Sequence, residues 1–191
     1  MAKWTGTQDD STTRNAIIEA TEQLIREEGY AALTSRNIGA RAGVKSPLIH
    51  YYFDSLDDLY LTVFRRASQD GLRRIEEALR SERPVRAVWD IMSDPTGARF
   101  TMEFNALALH RPAISQELAD FSSLVRDRIT DGFERHFEQR QVASPLAAII
   151  VHMLMVAVAA FLTQEKAIGT SKGHGALEES VEGWLRTLDG V

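Results

Sequence analysis

The sequence predicts an all-α protein, an N-terminal three-helix helix-turn-helix unit followed by a C-terminal helical bundle, about nine helices in total. Three observations carry this reading. Apolar residues recur at three- and four-residue spacing along nearly the whole chain, the period of an amphipathic helix. Prolines and short polar residues stand where successive helices would begin. No run alternates apolar and polar β-branched residues as a half-buried strand would.

The first helix is predicted from about Thr13 to Glu28, with Ile17, Ala20 and Leu24 and their neighbours Ile18 and Ile25 as its apolar stripe. Gly29 follows as a stop. Thr34 is placed to cap a short second helix ending near Ala42, and Gly43 stands behind it. A third short helix covers Ser46 to Tyr52, with Pro47 in the first turn, where a backbone donor has no partner to lose. Ser55 and Asp58 form a capping-box pattern for a long fourth helix, continued by Leu59, Tyr60, Val63, Phe64, Ile75 and Leu79. Later starts are marked by Pro84, by Asp94-Pro95, by Pro112 or Ser115, and by Ser144-Pro145. The loop GTSKGHG at 169–175 separates an apolar helix at 145–163 from a last short helix at 176–188. Residues 1–12 are read as a flexible arm in which Lys3 and Arg14 beyond it could touch phosphates, and Trp4 has no assignable role.

The informative stretch is TSRNIGARAGVKSPLIHYYF, Thr34 to Phe53. Two short helices meet at a turn that needs positive φ, and Gly43 supplies it. Ile38, Ala42, Val44, Ile49 and Phe53 can face inward against the first helix. Lys45, Ser46, Pro47, Leu48, His50, Tyr51 and Tyr52 remain outward, a mix that can hydrogen-bond phosphates and base edges. The helix start at Thr34 directs backbone donors outward, which suits a phosphate. The alternative is a helix-turn-helix used only for packing, with Tyr51 and Tyr52 as edges of a core.

These residues resemble the DNA-binding unit of the TetR family of bacterial regulators. The family pattern is a threonine opening the second helix, an Ala-Gly-Val turn and an aromatic-rich end to the recognition helix. Here these are Thr34, Ala42-Gly43-Val44 and Ile49-His50-Tyr51-Tyr52-Phe53. The resemblance spans residues 13–64 and implies DNA contacts at Thr34, Ser35, Arg36, Ser46, Pro47, Leu48, His50, Tyr51 and Tyr52. Arg36 is the best candidate to read a guanine, because a guanidinium can pair both acceptors on its major-groove edge. Two departures stand out. Leu56-Asp57-Asp58 replaces a basic residue common at the start of the fourth helix, and His50 replaces a tyrosine. The first implies one phosphate contact fewer. The second puts a shorter side chain there, one that could make binding pH-sensitive.

The resemblance further implies that residues 13–54 read DNA and that residues 55–191 bind a small molecule and join two subunits. Aromatic and methionine side chains with a few polar groups suit a ligand cavity and equally suit a core. The pocket candidates are Trp89, Met92, Phe100, Glu103, Phe104, Leu107, Phe121, Leu124, Arg128, His152 and Met155. Glu103 and Arg128 could instead pair, and His152 could be a hydrogen-bonded core histidine. The apolar and last helices are the dimer candidates through Val151, Leu154, Val158, Val181, Trp184, Leu185 and Leu188. Two-fold symmetry would set two recognition helices in successive major grooves of a near-palindromic operator. The implied protein is a homodimeric, cytoplasmic repressor of double-stranded DNA, released by an apolar or amphipathic effector that shifts the fourth helix.

Composition bounds the alternatives. The 191 residues carry a formal net charge of −5, and the whole of it lies beyond residue 53, since residues 1–53 hold six basic and six acidic side chains. A neutral head gains less non-specific affinity for DNA than a basic one but can still bind it. With no cysteine, disulfides, thiolate metal sites and cysteine nucleophiles are excluded. No nucleophile elbow, HExxH or dinucleotide fingerprint occurs, so neither an enzyme nor a metal or cofactor is expected. The polar N-terminus has no signal-peptide core. Leu146–Leu162 is apolar but for His152 and lacks basic or aromatic anchors, so it is read as a helix buried on all sides rather than a membrane span. A helical scaffold with no DNA role is the remaining rival.

Overall fold

A computed structural model describes residues 8–191. Among the described residues there are nine α-helices and no strand: α1 Gln8–Glu28, α2 Ser35–Ala42, α3 Ser46–Tyr52, α4 Leu56–Ala78, α5 Pro84–Met92, α6 Pro95–Ala108, α7 Pro112–Arg140, α8 Ala148–Ala167 and α9 His174–Asp189. A 3-10 turn, Tyr30–Ala32, joins α1 to α2. α1 starts at Gln8, so residues 8–12, expected in the arm, are helical. Lys3 and Trp4 lie outside the described residues. α8 starts at Ala148, three residues later than the proline signal suggests, because Ser144 Oγ bonds to the backbone of Leu146 and holds 144–146 as a turn.

The chain forms two compact units. Of the described residues, one takes in 8–68 together with Phe100–Leu118, and the other takes in Gln69–Arg99 and Ala119–Val191.

The first unit is built on Ile17, Leu24 and Ile25 of α1, Ile38 of α2, Ile49 and Phe53 at α3, and Leu59 and Val63 of α4, all buried. Phe104 is buried among them, with its ring 5.2 Å from Phe64 and 4.8 Å from Phe100. The Arg26 guanidinium stacks 4.3 Å over Phe100. Phe100, Phe104 and Leu107, expected in an effector pocket, are therefore core residues of the first unit. Glu103, expected beside them, accepts the backbone N–H of Tyr30 at 2.8 Å and satisfies a donor that the chain reversal after Gly29 leaves unpaired. Tyr60, 1% exposed, donates its hydroxyl to Leu33 O at 2.6 Å, and burial pushes its pKa up to about 12.

The second unit has its core in Ile75, Val85, Val88, Ile129, Phe133, Met155 and Leu162, joined by Trp89, Val151, Val181, Leu185 and Leu188. The last four were expected at a dimer interface. Their side chains are instead buried within the chain itself, Val151 completely. Trp89 and Met155 likewise serve the core, with Met92 packed against it, while Leu124 and Arg128 are exposed and Phe121 is half-buried. α5 begins without a side-chain cap of its own. The buried carboxylate of Asp189, at the end of α9, accepts the N–H groups of Val85 at 3.1 Å and Arg86 at 3.0 Å and caps it from across the unit.

α8 corrects a further expectation. It is not buried on all sides: Ala148, Val151, His152, Met155, Ala159 and Leu162 face the core. Ile149, Ile150, Met153, Leu154, Val156 and Phe161 are exposed. By length and composition it could cross a membrane, and a third of it is buried in the protein.

Candidate nucleic-acid interface

α2 and α3 are short, so their geometry depends on how they are capped and how closely they approach. Thr34 has extended backbone, and its hydroxyl oxygen accepts the N–H of Asn37 at 3.2 Å, an N-cap of the expected kind. Asn37, unremarked in the sequence, donates its amide to Ala32 O at 3.0 Å and ties the helix start to the preceding turn. Gly43 ends α2 in the left-handed region at φ 69°. Gly39 has a role that helical spacing alone did not reveal. A Cβ there would meet the carbonyl oxygen of Val44 at 2.9 Å, so only glycine lets the connection fold against the last turn of α2. Ser46 Oγ then donates to Ser35 O at 3.2 Å, and Ile49 and Phe53 anchor α3 in the core.

This leaves one exposed face. Thr34, Arg36, Lys45, Pro47, Leu48, His50 and Tyr51 are exposed, and Tyr51 is 65% so. Ser35 and Ser46 are half-buried at the starts of their helices. Among the described residues Arg36 and Lys45 have no carboxylate partner. Arg41, by contrast, is held by Glu27 and Glu28 at 2.7 Å each, and the bond to Glu27 raises its pKa. Arg14 lies 4.8 Å over the Phe53 ring. On the α2–α3 face, Arg36 and Lys45 are thus left to meet a polyanion.

Tyr52 behaves differently from the other candidates. It is half-buried, and its hydroxyl donates to Asp10 Oδ1 at 2.8 Å, a bond that raises its pKa. Its ring meets Tyr51 edge-on at 5.0 Å. Tyr52 therefore fixes the end of α3 to α1, and its neighbour Tyr51 presents the free hydroxyl. No sequence signal pairs residues 42 positions apart. The capping box at Ser55 and Asp58 forms as expected, with Asp58 N donating to Ser55 Oγ at 3.1 Å. Asp57 is paired with Arg111, so its charge is compensated at the start of α4.

The chain was compared with known proteins. Residues 17–63 match the family described as bacterial regulatory proteins, tetR family. It is 26% identical over 153 residues to the HTH-type transcriptional activator FasR of Mycolicibacterium smegmatis, covering 72% of this chain and 68% of that one. It is 28% identical over 154 residues to the HTH-type transcriptional regulator BetI of Stenotrophomonas maltophilia, covering 72% and 76%. Its fold is similar to that of a transcriptional regulator from Saccharomonospora viridis solved in complex with choline. There the TM-score is 0.73 at 20% identity, over 84% of this chain and 88% of that one.

Proposed function

We propose that the chain, whose residues 17–63 match the tetR family of bacterial regulatory proteins, is a transcriptional regulator of that family that binds a near-palindromic operator as a homodimer, represses transcription, and is released by a small amphipathic effector. The observation that carries the DNA part is the unpaired Arg36 and Lys45 on the one exposed face of a tightly closed α2–α3 unit. Arg36 would read a guanine, and Leu48 or Pro47 would touch a thymine methyl. Thr34, Ser35, Ser46 and Tyr51 would position the helix on phosphates.

The homodimer would form on the exposed face of α8. Ile149, Ile150, Met153, Leu154, Val156 and Phe161 recur at helical spacing there, and a face of this length is costly to leave in water. Of the residues expected at this contact, Leu154 lies on that face, and Val158 and Trp184 are half-buried beside the core.

The effector reading rests on polar atoms inside the second unit. Arg126 Nε and Thr130 Oγ1 of α7 and His152 Nδ1 of α8 are buried without a hydrogen-bond partner in the protein. Such atoms call for a ligand or water. Arg126 acts electrostatically on His152, whose pKa falls to about 4, chiefly through burial. Donors of this kind suit an effector with an apolar body and an acceptor group. They do not suit a quaternary ammonium such as the choline held by the Saccharomonospora protein, so that ligand is not carried over.

Selection of bound sites from a random duplex pool tests the DNA part. A near-palindromic motif supports it, and no enrichment over background would favour the helical scaffold. A reporter carrying the selected site then separates repression from the activation that the FasR name implies for that relative.

A further inference from the structure

A cleft of about 540 Å³ opens in the second unit between the end of α4, the turn before α5 and the C-terminal half of α7. We infer that it is a binding site for a small organic oxyanion, separate from the buried polar atoms assigned above to the effector.

Arg128, Gly132, Arg135 and Gln139 follow one another at four, three and four residues on α7, one face of the helix, and all line the cleft. Gly132 has no side chain there, and a Cβ would meet Cδ2 of Leu79, the first residue after α4, at 2.6 Å. α7 therefore touches the end of α4 at that point, and the two arginines stand on either side of it, about 10 Å apart along α7 at 1.5 Å per residue. Arg128 and Arg135 are exposed and have no carboxylate partner among the described residues. Glu76 of α4 and Arg80 of the following turn also line the cleft, 3.7 Å apart and largely compensating each other. The lining thus carries three arginines against one carboxylate.

A second observation points the same way. His136 also lines the cleft, is 8% exposed, and its Nε2 is buried without a hydrogen bond. It lies 3.6 Å from Asp189 Oδ1, too far for a bond, and that carboxylate is already engaged by the N–H groups of Val85 and Arg86. A ligand oxygen would give Nε2 the partner it lacks, and the guanidinium forks match carboxylate or phosphate geometry. The volume is that of a metabolite rather than an inorganic ion. Arg65 and Arg86, by contrast, are tied to carboxylates, Arg65 to Glu117 and Arg86 to Asp90 and Glu182.

The test is calorimetric titration of the full chain with citrate and with glycerol 3-phosphate at constant ionic strength, alongside choline chloride as a cationic control. The expected result is saturable binding of at least one anion with Kd of about 1 mM or tighter and none of choline. The Arg128→Gln, Arg135→Gln double variant should weaken it by at least about tenfold, or 1.4 kcal/mol. Both positions are exposed, and an unchanged circular dichroism spectrum would confirm that the variant folds. Which anion binds identifies the group recognised. No saturable heat with either anion, or equal binding by the double variant, would overturn the assignment.

Discussion

At the scale of single residues, the α2–α3 face depends on where side chains are absent as much as on where they are present. Gly39→Ala places a methyl 2.9 Å from the backbone carbonyl oxygen of Val44, so the backbone itself must shift. We expect a loss of about 1–3 kcal/mol, the usual cost of overpacking, seen as a lower Tm, with weaker DNA binding as α3 is pushed out. A Tm within error of the wild type would show that the turn is more compliant than this geometry. His152 gives a residue-scale pH prediction. Its pKa is 6.5 in the unfolded chain and about 4 in the folded protein, so the unfolded state binds the extra proton between those values. The contribution of a neutral His152 is complete above about pH 6.5. It is lost as pH falls toward 4, by at most about 1.4 kcal/mol per unit. His152→Leu should flatten that part of the stability profile, measured by urea unfolding at pH 7 and pH 5. Parallel profiles would mean that His152 protonates without penalty.

At the scale of elements, short helices were legible because their ends carry chemistry. Thr34, Gly43, Pro47 and the Ser55–Asp58 box each solve a local backbone problem, and the observed bounds of α2 and α3 agree with them. α8 was legible as a helix but not as a face. When apolar residues surround the axis, periodicity does not reveal which side meets the core. The structure divides it, and the outward side predicts its own test. Leu154→Glu puts a charge on the exposed apolar face without disturbing a buried side chain. Sedimentation should show a dimer for the wild type and a monomer of unchanged helicity for the variant. A variant that remains dimeric would move the interface elsewhere.

At the scale of the whole molecule, the all-α fold class could be read from the sequence, but the packing of distant segments could not. Phe100, Phe104 and Leu107 look like pocket residues by composition, yet they complete the core of the first unit from 40 or more residues beyond α3. Such pairings leave no trace in local spacing, and neither does the Asp10–Tyr52 bond that keeps one expected DNA contact at home. The candidate DNA surface is legible for the opposite reason, since all its parts lie within Thr34–Tyr52. The central claim is that this surface reads DNA sequence through Arg36. Its most direct test is an anisotropy titration of the selected duplex and a scrambled duplex with wild type and Arg36→Ala at one fixed salt concentration. The wild type should prefer the selected duplex, and Arg36→Ala should lose about 1–3 kcal/mol of that preference while keeping most of its affinity for the scrambled one. Equal affinity of the wild type for both duplexes, or an unchanged preference in the variant, would contradict it.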